Sequence, residues 1–342
     1  MLSTLSAKQV TPAGLRKKIH RIAPNLALAW TGSLVVAEAV IGAARIRFQD
    51  DAATVDALEH FFTRTHWDFG SGPWVAIIGW VIEGETQRCF RWRSDYSGEV
   101  FYGAYQTGGS GETLIEQVAS VQQSHSQLSP EGQALFVLTR MMGDEAGARQ
   151  NWAKGFGFGY ELLMWKNGAF DYVDDVVYVF YEVHFDATGA FIGHKLYPTL
   201  IKYHHLHGEY AFVQRGPLIV DGASIINETR QHFITPVYRL PDEDLVFQQI
   251  ISKHSPVSYD SKYICHFASI IKDADTNEAA PLPIPFLIVQ TPGEQKLLSV
   301  TFENPNPAHP LGGTLSVQYP PREYFEIVYK RQMSKSFPLP GS

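Results

Sequence analysis

The sequence predicts an α+β fold in which a mixed helix-and-strand half precedes a β-rich half. Three observations carry that prediction. Read in order, the first half gives strand, turn, helix, helix, strand, hairpin, strand, glycine turn, helix, helix, strand. Beyond about residue 190, helical periodicity nearly disappears, and short apolar runs punctuated by Pro and Gly take over. Aromatic residues make up 13% of the chain, a composition that favours pleated sheet. At 342 residues the chain exceeds one average domain, and the change of texture places the division at 1–188 and 189–342.

Residues 25–31 (NLALAWT) read as a short strand that stops at Gly32. Ser33 is placed to cap an Ala/Val/Ile-rich helix over 34–48. A second helix is expected over 56–65, where Leu58, Phe61 and Phe62 recur at helical spacing. After the GSGP turn at 70–73, residues 74–82 form an apolar run suited to a strand buried on both faces. Strand 88–93 follows, with Phe90 and Trp92 alternating against Arg91 and Arg93, and residues 99–106 return beside it. The glycine turn at 107–111 opens a helix over 112–123, and Ser129-Pro130 starts another over 129–142. Residues 156–165 and 170–185 read as strands. In the second half, strands are expected over 210–213, 234–240, 263–271, 286–290, 297–302 and 325–329, with one helical stretch at 242–250.

Hydrophobic residues at 45% and charged ones at 18% describe a globular chain with matter for real cores. The net charge of −7 argues against a nucleic-acid surface, which needs a basic face to displace counterions. Cys89 and Cys265 belong to no CxxC pair, so no disulfide is expected and a reducing, cytoplasmic home is the default. No apolar run approaches a membrane span, and MLSTLSAKQVTPAG lacks the apolar centre of a secretory signal.

Several segments have a family likeness. KKIHRIAPNLALAWTGS, followed by an Ala-rich helix ending in ARIRF, resembles the lysine-bearing strand pair and first helix of the proteasome β-subunit family of N-terminal-nucleophile hydrolases. WVAIIGWVIEGETQRCFRWRSDYSGEV resembles that family's central hairpin, and YQTGGSGETLIEQVA its Gly-Ser-Gly turn into the third helix. MGDEAGA is a looser match to an Asp-containing turn near the family's active site. The likeness covers about residues 1–170.

The resemblance implies a four-layer αββα sandwich followed by a β-rich C-terminal domain. It implies hydrolysis by the hydroxyl or thiol of a free N-terminal residue, with its own amine as base. A strand lysine beside the nucleophile depresses that amine's basicity and stabilises developing charge; Lys18 matches it. Ser110 matches a serine near the amine, and Asp144 matches the supporting aspartate, without the serine expected just after it. Ring-like homo-oligomers are the family's habit, with helices 34–48 and 112–123 as contact elements, and no cofactor is implied.

The family places two strands and a hairpin between nucleophile and lysine, whereas seventeen residues precede Lys18 here. Ser3 and Thr4 fall on the family's second strand, so the nucleophile strand is expected before Met1. The chain as written therefore reads as a non-catalytic relative acting by self-assembly or binding. The alternative is a working peptidase or amidase whose first strand lies upstream.

Other motifs carry blander readings. GGSG lacks the Lys-Ser/Thr ending of a phosphate loop and reads as a structural turn. Alternating Gly and Phe in GFGFGYEL (155–162) points to close backbone packing. In KYHHLHGEY, His205, His207 and Glu209 would share one face of a strand, an acceptable metal geometry and the basis of a ligand-binding alternative for the second half. Cys265 and His266, adjacent in a strand, point to opposite faces and make no nucleophilic pair.

Overall fold

A computed structural model of the chain describes residues 15–64, 67, 69, 72–96, 99–109, 112, 129–148, 160–174, 176–185, 191–206, 210–216, 218–221, 224–228, 230–238, 263–272, 282–288, 299–303 and 312–318. The described chain is α+β, with helices and predominantly antiparallel sheet. It divides into two compact units. The first takes Met1–Asp174, Lys202–Gln214 and Gln231–Lys253; the second takes Asp175–Ile201, Arg215–Arg230 and His254–Ser342. No helix among the described residues is long and apolar enough to cross a membrane.

The elements of the first 174 residues are β1 (Leu15–Arg16), β2 (Ile19–Ala23), β3 (Leu26–Gly32), α1 (Leu34–Phe48), α2 (Val55–Arg64), β4 (Val75–Glu83), β5 (Thr86–Arg93), β6 (Val100–Gly103), α3 (Pro130–Ala148), β7 (Leu163–Lys166) and β8 (Ala169–Tyr172). Strands β2 to β6 form one antiparallel sheet in chain order. Its register aligns Trp30 with Ile77 and Trp92, Leu28 with Gly79 and Phe90, and Leu26 with Val81. Because strand side chains alternate, these residues share one face. They are buried together with Val36, Val40, Ile41 and Phe48 of α1 and Leu58, Phe61 and Phe62 of α2. Two helices on one face of a sheet thus make the core. Phe62 is its aromatic hub, in ring contact with Phe61, Phe90 and Trp92.

Gly79 lies between Leu28 and Phe90 in the register, and a Cβ there would enter the Phe90 ring. Gly32, at φ +110°, lets the chain pass close under the Trp74 carbonyl, which accepts from the Ser33 N–H at 2.8 Å. Ser33 does precede α1, but its side chain makes no capping bond there. Ser129 does cap, its Oγ accepting from Gly132 N–H at 3.1 Å at the start of α3. Helix α3 runs past the expected end at residue 142, so Asp144 sits in a helix rather than a turn. Ala, Glu and Met around it keep that stretch helical despite two glycines.

The β7–β8 hairpin turns at Asn167-Gly168, both with positive φ (54° and 81°), the backbone that a two-residue hairpin of this twist requires. It meets the sheet on the side away from the helices. Trp80, whose neighbours Gly79 and Val81 face the helices, packs its ring 5.7 Å from that of Phe170.

The remaining strands are β9 (Val176–Phe185), β10 (Phe191–Leu206), β11 (Tyr210–Gly216), β12 (Leu218–Asp221), β13 (Ser224–Glu228), β14 (Arg230–Thr235), β15 (Tyr263–Lys272), β16 (Leu282–Ile288), β17 (Ser299–Glu303) and β18 (Gly312–Gln318). In the first unit, β1 pairs in parallel with β14 through Leu15–Ile234 and Arg16–Thr235. In the second, β15 lies between β9 (parallel) and β16 (antiparallel), and β12, β13, β18 and β17 form a separate antiparallel sheet.

Candidate functional site

Two lysines fill the gap between β1 and β2. Adjacent residues of an extended chain point to opposite sides, so one alone can enter the interior. The structure buries Lys17 completely and leaves Lys18 exposed. Lys17 Nζ lies 3.5 Å from Glu161 Oε1, and the two side chains are 0% and 7% exposed. The ammonium also sits 3.7 Å from the centroid of the Tyr172 ring, whose negative face favours a cation. A charge buried this deeply persists only when paired, and Glu161 supplies the pairing carboxylate.

The Lys17 backbone is held as firmly as its side chain. Its carbonyl accepts from Trp30 Nε1 at 2.8 Å, and His20 Nε2 lies 3.1 Å from the same oxygen. A carbonyl can only accept, so Nε2 carries the proton of His20. Burial drives the His20 pKa from 6.5 down to about 3; Glu161 opposes the shift, while Lys17 and Arg45 reinforce it. His20 is therefore neutral near pH 7. Its ring lies 5.5 Å from that of Tyr238, and the Arg45 guanidinium covers the Tyr238 ring at 4.4 Å.

Among the described residues, strand β2 is an edge of its sheet, and Tyr172 lies against that edge. The phenol donates to Ile19 C=O at 2.8 Å and accepts from Arg21 N–H at 3.3 Å. Arg21 Nη1 donates to Phe170 C=O at 3.3 Å. One tyrosine thus satisfies two backbone groups of the edge and offers its ring to Lys17.

Lys18 occupies a different setting. Its Nζ lies 3.1 Å from the centroid of the Trp30 ring. Loss of water against the indole draws its pKa from 10.5 to about 8, although the ring's negative face works in the opposite direction. Trp30 therefore touches both lysines, taking the amine of one on its ring and the carbonyl of the other on its N–H.

The glycine turn expected near the site does come to the sheet. Gly109 has φ +81°, and a Cβ on it would stand 2.6 Å from Thr31 Oγ1. The Glu112 N–H donates to Gly109 C=O at 3.1 Å. Arg91 reaches the same turn, 3.5 Å from Thr107 C=O and 3.9 Å from Glu112 Oε1. Ser110 itself, and Ser3, Thr4, His207 and Glu209, lie outside the described residues, while His205 falls in β10 and Asp144 in α3. Among the described residues no group of three or more His, Cys, Asp or Glu is placed to hold a metal.

Sequence reasoning passes over Lys17, His20, Glu161 and Tyr172. A signal for Glu161 exists: it is the single acid in the apolar, glycine-rich run GFGFGYELLMW. Chemically, the Lys17 amine is taken up inside the fold by Glu161 and the Tyr172 ring. Lys18 is an amine whose proton burial makes easier to remove than that of an ordinary lysine.

No protein-family model matches the chain. A search of curated proteins finds no match either.

Proposed function

We propose that this chain is a non-catalytic relative of the proteasome β-subunit type, built as an αββα sandwich with an added β-rich part, cytoplasmic, and acting by self-assembly or binding. The observation that carries the reading is the Lys17–Glu161 pair. It gives one lysine of the pair a structural use: Lys17 is committed to a buried carboxylate, whereas Lys18, the match to the family's lysine, rests its amine on the Trp30 ring. The layering supports the sandwich: α1 and α2 on one face of the β2–β6 sheet, the β7–β8 hairpin on the other. Assembly is supported by α1, which is apolar on its outer side as well as its inner one. Val35 and Ile46, 76% and 79% exposed, lie three turns apart on one stripe.

Sedimentation velocity of the native chain and of a Val35→Glu/Ile46→Glu variant tests this. The reading expects an oligomer that the double variant dissociates. A native monomer, or an oligomer indifferent to both charges, overturns the assembly role.

A second reading is favoured by Lys18, whose pKa of about 8 suits an amine that assists a nucleophile. In that case the chain is a working N-terminal-nucleophile peptidase or amidase. Peptide turnover by the purified protein, lost on Lys18→Met with folding intact, separates it from the first.

A further inference from the structure

The second unit contains a strand with an unusual backbone. In the sequence LPIPFLI, which forms β16, prolines stand at alternate positions, 283 and 285. They oppose Ser269 and Phe267 of β15. In an antiparallel ladder, residues alternate between those that bond to the partner and those whose N–H and C=O point away. Pro283 and Pro285 share one parity and carry no N–H. Pointed at β15, they would remove two donors from that ladder. The ladder is complete only with Leu282, Ile284, Phe286 and Ile288 bonding to β15, and Pro283, Pro285 and Leu287 turned outward.

The accounting closes on the other side of β15. Its residues Ile264, His266, Ala268 and Ile270 then serve β16, leaving Cys265, Phe267 and Ser269 to serve β9, and a parallel partner engages every second residue in just this way.

Among the described residues, β16 pairs with β15 alone and stands at the end of its sheet. We infer that β16 is built to end that sheet: its outward edge, stripped of N–H donors at Pro283 and Pro285, is closed to an extended strand from a second copy of this chain. Strand edges left with a full set of donors and acceptors are templates for such pairing, and proline on an edge is one means of blunting them. Of the outward positions in β16, Leu287 keeps a donor.

Site-resolved hydrogen exchange on the intact native protein tests the orientation. The amides of Ile284, Phe286 and Ile288 exchange slowly, and that of Leu287 exchanges at the rate of an open edge. Protection of Leu287 equal to its neighbours' means the edge is covered, and the inference fails. A Pro283→Thr/Pro285→Thr variant restores both donors. It is expected to associate with rising concentration, to roughly double the native weight-average mass in sedimentation. A folded variant with the native mass at every concentration overturns the inference. Should the variant not fold, the exchange pattern of the native chain decides alone.

Discussion

Lys17 Nζ and Glu161 Oε1 stand 3.5 Å apart in the interior, joined across 144 residues of chain, and tie the segment before β7 to the start of β2. Breaking one partner of such a pair strands a charge away from water. Glu161→Leu and Lys17→Met are each expected to destabilise the fold by ~3–5 kcal/mol, while the joint Lys17→Met/Glu161→Leu change is close to neutral. Urea unfolding of the three variants and the native chain checks this. Additive losses in the double variant would mean that the two groups do not depend on each other.

His20 gives the fold a pH dependence of known sign. Its pKa is about 3 folded against 6.5 unfolded, so between those values the unfolded chain holds a proton that the folded one does not. The stability associated with neutral His20 is fully present above pH 6.5 and is lost as pH falls toward 3, at a limiting slope of about 1.4 kcal/mol per pH unit. A His20→Leu variant should show a shallower decline between pH 6 and 4. An unchanged slope would place the His20 ring in contact with water.

Gly79 is required by Phe90. A methyl group at position 79 enters the ring, so Gly79→Ala is expected to cost about 1–3 kcal/mol by overpacking. The penalty shrinks in a Phe90→Leu background, where the colliding ring is absent. Thermal unfolding of the four-member cycle measures the coupling, and equal penalties in both backgrounds would refute the contact.

Elements with a strong local signal are legible in the sequence. The Ala/Val/Ile-rich run 34–48 and the apolar run 74–82 are found as α1 and β4 within a residue of expectation. Strand β6 ends at Gly103 rather than 106, because the chain turns there and Gln106 comes back to Phe101 C=O at 3.4 Å. Strand β16 begins four residues before the expected 286, since prolines that read as turn punctuation are tolerated on a sheet edge. The likeness to the proteasome family draws attention to Lys18 and to the glycine turn, and both are found next to β3, against Trp30 and Thr31. What the sequence does not give is which lysine of the pair turns inward. That choice depends on Glu161 and Tyr172, more than a hundred residues away, and on which parity of an extended backbone they select.

The central proposal is that Lys17 serves structure and that the chain acts by assembly or binding rather than by hydrolysis. The most direct measurement is exposure of the native protein to an electrophilic β-lactone, read by intact mass and peptide mapping. The expected result is an unmodified chain. A stoichiometric adduct on a Ser, Thr or Cys at the protein's N-terminus, abolished by Lys18→Met, would contradict the claim and establish an active hydrolase.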